Sequence, residues 1–143
     1  MEATRSYPLL EHAAERLHAA SGRAIGEIQL EAAVNGGLSP ADLQINAETL
    51  QAQAAVARQA GFAQLADNLE RAAELTGVPN EELLQMYTLL RPGRATLEEL
   101  EQLATRLDTT YQAPRNAAWV REAAAVYQRR NLFKREPSAG QRP

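Results

Sequence analysis

Along residues 46–132 apolar side chains recur at three- and four-residue intervals, the period of an amphipathic helix. Polar and glycine–proline punctuation divides this stretch into five predicted helices. Asn46 is a good N-cap for a helix running to Ala60 and ended by Gly61. Phe62 to Thr76 forms the next, with Phe62, Leu65, Leu69, Ala72 and Ala73 on one stripe. "TGVP" stops it: Gly77 suits the left-handed C′ position, and Pro79 stands near the start of the following helix. There Glu81 and Glu82 complement the N-terminal dipole, and Leu83, Leu84, Tyr87 and Leu90 make the predicted buried face. "RPG" breaks the chain before Thr96, which opens a capping box with Glu99. Leu97, Leu100, Leu103, Ala104, Leu107 and Tyr111 form the longest leucine stripe. Pro114 begins the last helix, to about Leu132, with Trp119, Val120, Ala123, Val126 and Tyr127 facing inward.

Residues 1–45 follow no single period. Leu9 to Ala20 reads as helix by propensity, with Leu10, Ala14 and Leu17 on one face. In "SGRAIGEIQL" the spacing of Ile25, Ile28 and Leu30, interrupted by Gly26, predicts an extended segment or short strand. A short helix from Leu30 to Val34, the turn "NGG" and a first turn capped by Ser39 before Pro40 complete the arm. The expected organisation is an irregular docking arm (1–45), a helical domain (46–132) and a polar, disordered tail (133–143). The fold class is all-α, a small bundle of about five main helices.

Composition makes the core thin. Alanine accounts for 28 of the 143 residues and leucine for 19. Alanine favours helix and contributes little buried area. A net charge of −3 argues against a dedicated nucleic-acid binder. The absence of cysteine excludes disulfides, thiolate metal sites and a cysteine nucleophile, and fits a cytoplasmic protein. No apolar run approaches membrane-spanning length.

The candidate chemistry is sparse. Glu15 and His18 have the i, i+3 spacing of di-iron carboxylate bundles, but that chemistry needs a second such pair and two more glutamates. A helix opening "NEELLQ" would repel phosphates, so the outline of a helix-turn-helix around "TGVPN" does not predict DNA binding. Glu98, Glu99 and Glu101 fan out over one turn rather than converge, and Gly36-Gly37 lacks the spacing of a phosphate loop. No repeat pattern relates residues 47–76 to 80–110. Fourteen of the fifteen basic residues are arginine, the side chain better suited to bidentate pairing at interfaces. Arg91 and Arg94 flank Pro92 at a rigid helix boundary, and Arg121 follows Trp119 by two; each can present outward or close a local salt bridge. Catalytic, cofactor-binding and metal-binding residues are expected to be absent from the chain. The candidate interface residues are Tyr7, Ile28, Leu30, Arg71, Tyr87, Arg91, Arg94, Trp119 and Arg121.

"YPL", "ETLQAQAAVARQAG", "RAAELTGVP", "YTLLRP" followed by Arg94, and "WVREAAAVYQRR" occur in this order. Together they make a chain that resembles the small (gamma) subunits of adenosylcobalamin-dependent glycerol and diol dehydratases, from about Tyr7 to Leu132. Leu69 and Trp119 stand where phenylalanine is expected, Gly93 where an aromatic is more usual, and Gln44 where arginine is expected. The resemblance implies a lyase of large, medium and small subunits, two of each. Its large subunit is a TIM barrel holding substrate and a metal or monovalent cation, and adenosylcobalamin lies between the large and medium subunits. A radical generated from that cofactor converts a 1,2-diol or glycerol to an aldehyde and water. The small subunit is implied to clasp the large one without supplying catalytic groups. The chain starts six residues before Tyr7, without the extension associated with microcompartment encapsulation, which favours a soluble glycerol dehydratase over a propanediol dehydratase. The alternative is a helical adaptor for an unrelated partner.

Overall fold

The computed structural model describes residues 8–12, 14–29, 31, 34–44 and 46–135. The chain divides into two compact units, Met1–Thr76 and Gly77–Pro143. Its long elements are helices α1 (Ala47–Gln59), α2 (Ala63–Leu75), α3 (Asn80–Leu89), α4 (Leu97–Thr109) and α5 (Pro114–Arg130). Among the described residues there is no strand, only one isolated bridge between His18 and Ala24. The protein is all-α, as the periodicity predicts.

In the first unit, α1 and α2 form a hairpin. The Asn46 side-chain oxygen accepts the Thr49 amide at 2.9 Å, satisfying one of the orphan donors of the first turn. Gly61 ends α1 at φ +88°, a conformation that would strain any other residue, and the Phe62 amide reaches back to the Ala57 carbonyl. The buried seam is made of small side chains, Ala54, Ala57 and Ala66, with Leu69 packed against them. Arg58 on α1 ties the pair together through Asp67 at 2.9 Å and Glu70 at 3.0 Å on α2. The predicted stripe of α2 is corrected here: Phe62 is 63% and Leu65 50% exposed, and the buried line runs through Ala66 and Ala73. The tight turn at Gly61 brings the alanine face of α2 against α1, which leaves the bulkier flank outside.

The helix predicted from Leu9 to Ala20 is also corrected. It is one α-turn at Leu9–His12 and a 3-10 turn at Ala14–Arg16, after which His18 pairs with Ala24. The backbone leaves the helix because its donors find better partners: Ala19 N–H bonds the Arg23 carbonyl at 2.9 Å, Ile25 N–H that of Leu17 at 3.0 Å, and Ala20 N–H that of Gln44 at 3.1 Å. Of the predicted extended segment only Ala24 is bridged, while Ile25–Glu27 forms a 3-10 turn. In the predicted helix from Leu30 to Val34, Glu31 and Val34 are helical and the remainder lies outside the described residues. At Ser39 the predicted cap is present: the Asp42 carboxylate accepts the Ser39 amide at 2.6 Å and its hydroxyl at 3.0 Å. Asp42 is buried and also takes the Ser21 hydroxyl and Arg23, so one carboxylate joins two segments of the arm, 21–23 and 39–42.

The second unit has the larger core. Leu100, Leu103 and Leu107 on α4 pack against Val120 on α5, all four fully buried, with Ala104, Ala117 and Ala124 filling between them. The Thr96–Glu99 capping box forms as predicted, with the Thr96 hydroxyl accepting the Glu99 amide at 3.2 Å and the Glu99 carboxylate accepting the Thr96 amide at 2.8 Å. Two edges of the predicted stripes face outward instead, Leu97 at 41% and Trp119 at 44% exposed. Helix α3 meets α4 over a small area, steadied by Glu82 and Arg106 at 2.9 Å. It buries Met86, while Leu84 and Tyr87, predicted inward, are 68% and 75% exposed. The helix has apolar residues on both flanks, and the flank bearing Met86 is the one that packs.

Candidate docking surface

Two backbone bonds and one side-chain bond hold the turn after α3 against the end of α5. Gly93, at φ +78°, donates its amide to the Leu132 carbonyl at 2.8 Å, and Lys134 donates to the Ala95 carbonyl at 2.8 Å. The Tyr127 hydroxyl donates to the Leu90 carbonyl. Its ring meets Phe133 edge-on, with centroids 6.2 Å apart. Asn131 makes this return possible by taking the left-handed conformation at the end of α5, φ 53°, so the Leu132 amide can bond the Tyr127 carbonyl at 2.9 Å. The "RPG" turn is thereby a fixed platform.

Of the predicted contact residues, this platform gathers Tyr87, Arg91 and Arg94. All three are exposed, and neither arginine makes an ion pair with a described residue. Trp119 is half exposed on α5. Arg121 spans from α5 to α4, 3.9 Å from Glu101 and 3.6 Å from Asp108, so its local salt-bridge role is realised. Arg71 is half-buried and donates to the Asn68 side chain. Ile28 is half-buried in the arm. Tyr7 and Leu30 lie outside the described residues. The sequence pattern missed Leu84 as a surface residue because it shares an apolar flank with Tyr87 that could equally have been the buried one.

The remaining chemistry stays dispersed. Glu15 is exposed and His18 half-buried in its bridge. Glu98 accepts from Gln102 at 3.2 Å, Glu99 belongs to the cap and Glu101 faces Arg121, so the acidic turn serves its own helix pair. The shallow depression lined by Glu98, Glu101, Gln102, Thr105 and Arg106 lies along a single helix and has no facing wall. Among the described residues no three His, Cys, Asp or Glu side chains are grouped to hold a metal ion. No helix among them is long and apolar enough to cross a membrane.

The second unit thus offers exposed aromatic and arginine side chains, among them Tyr87, Arg91, Arg94 and Trp119. Comparison with known proteins gives the family. A sequence model of the family described as "Dehydratase small subunit" matches residues 2–134. The propanediol dehydratase small subunit of Citrobacter freundii is 42% identical over 128 residues, covering 90% of this chain and 74% of that protein. The propanediol dehydratase small subunit of Salmonella typhimurium is 42% identical over the same 90% and 74%. The chain belongs to the dehydratase small subunit family, and within it to the small subunits of diol dehydratases.

Proposed function

We propose that this chain is a noncatalytic small subunit that docks on the large subunit of a B12-dependent dehydratase and stabilises it. The reaction is the conversion of a 1,2-diol to an aldehyde with loss of water. The single observation that carries the docking role is the rigid, outward-facing platform of Tyr87, Arg91 and Arg94, held by the Gly93–Leu132 and Lys134–Ala95 bonds. Exposed aromatic and arginine side chains on a fixed backbone are the usual anchors of protein interfaces. The names of both relatives support 1,2-propanediol as the substrate in preference to glycerol.

In this reading the larger subunits, two large and two medium with two copies of this chain, bind substrate, the active-site cation and adenosylcobalamin in the cytoplasm. When bound, the cofactor supplies the radical chemistry, and the work of this chain's residues is to bind and orient a partner surface. The test is co-expression of this chain with the large and medium subunits of its host. The expected result is a purified complex of all three that forms aldehyde from 1,2-propanediol faster than from glycerol when adenosylcobalamin is supplied. Failure of this chain to copurify with the larger subunits would overturn the docking role.

A further inference from the structure

Although the chain is acidic overall, residues 83–97 and 123–135 contain six basic side chains and no acidic one. The two stretches are brought together by the Gly93–Leu132 and Lys134–Ala95 hydrogen bonds. Arg91, Arg94, Arg129, Arg130, Lys134 and Arg135 therefore share one end of the second unit, and all are exposed. None forms an ion pair with a described residue, whereas Arg58, Arg106 and Arg121 each do. Glu98 and Glu99 at the start of α4 bond instead to Gln102 and the Thr96 amide. Among the described residues no carboxylate forms an ion pair with this end.

Leu84 and Tyr87 lie on one flank of α3 at positions i and i+3, and Arg91 follows two residues after the helix ends at Leu89. The apolar strip thus leads toward the basic end. A purely electrostatic ligand would not need that strip, and a protein surface with an apolar centre and an acidic rim would use both.

We propose that this basic end, together with Leu84 and Tyr87, docks on an acidic patch of the large dehydratase subunit. The inference rests on the docking role proposed above and assigns it a location and a charge. Nucleic acid is the competing polyanion. The net charge of −3 disfavours it, because binding a phosphate backbone would also bring the acidic remainder of the chain close to it.

The test uses the co-expressed complex of all three subunits. Retention of the small subunit is measured by native mass spectrometry and size exclusion across a sodium chloride series, for the native chain and for R91E/R94E. R91Q/R94Q serves as the milder variant should the reversal impair folding, which circular dichroism reports. The native complex should lose its small subunit progressively as salt rises, since salt screens exposed charges over about 8–10 Å at physiological strength. Charge reversal should weaken retention by about tenfold or more and flatten the salt dependence, with neutralisation intermediate. A complex that forms normally but shows the same retention and salt response in all three chains would overturn the location while leaving the docking role intact. Absence of any complex with the native chain would overturn both. Binding of a DNA or RNA oligonucleotide by the native chain, abolished in R91E/R94E while the complex is unaffected, would overturn the choice of partner.

Discussion

The hydroxyl of Tyr127 donates to the carbonyl oxygen of Leu90, thirty-seven residues earlier, at the end of α3. This bond caps one helix with a side chain from another and fixes the turn that carries Arg91 and Arg94. Tyr127→Phe removes the donor and leaves the ring contact with Phe133. It should cost about 1 kcal/mol of stability, the usual net value of one hydrogen bond, read as a lowered urea midpoint with an unchanged slope. It should also speed amide exchange at Gly93 and Lys134.

The two halves of α4 differ in how much depends on them. Thr96→Ala deletes one cap bond and should cost about 1 kcal/mol. Leu103→Ala leaves a void in the fully buried seam against α5 and should cost about 2–5 kcal/mol. Denaturant unfolding of both variants separates the two magnitudes.

Asp42 makes the arm pH-sensitive. The Ser21 hydroxyl, the Ser39 amide and hydroxyl, and Arg23 hold its carboxyl below the ordinary value of 3.8, against the opposing effect of burial. A depressed folded value means the stabilisation is fully present above pH 3.8 and is lost as pH falls through the lower folded value. Protection factors of the Ala20 and Ser21 amides, which bond Gln44 and Ala41, should hold from pH 7 to about 4 and fall below it. Asp42→Asn should lower that protection at pH 7.

Trp119 and Tyr87 are exposed, so truncation should be nearly silent for folding and costly for assembly. Either alanine variant should change the stability of the chain by no more than about 0.5 kcal/mol while lowering affinity for the larger subunits by about 1–2 kcal/mol. Thermal melts of the chain and competition with the native chain for the complex measure the two effects.

The helix boundaries were legible because capping is local. Asn46 and the Thr96–Glu99 pair stand in the sequence next to the amides they satisfy. The all-α class followed from the same signals. Which flank of each helix is buried was less legible. In α2 and α3 apolar residues occupy two flanks, and the choice between them depends on close approach of alanine faces and on the packing of Met86, neither of which is a local property. The arm misled for a related reason: nothing between Leu9 and Ala20 shows that Gln44 will supply the acceptor that draws the Ala20 amide out of a helix. The basic end escaped notice because its two halves lie about thirty-five residues apart and meet only through the bonds at Gly93 and Lys134. The family, by contrast, could be read from short motifs in register, and the comparisons bear it out.

The central claim, a chain that assembles the dehydratase without taking part in its chemistry, is tested most directly by turnover per fully assembled complex. Complexes carrying Y87F, E101Q, R94Q or H18N are purified with the small subunit at full occupancy and assayed on 1,2-propanediol with adenosylcobalamin. Turnover equal to that of the native complex in every case, with activity changing only where occupancy falls, is the predicted result. A fully occupied complex whose turnover drops by about a hundredfold or more on one of these substitutions would contradict the account, since losses of that size mark a group engaged in the reaction.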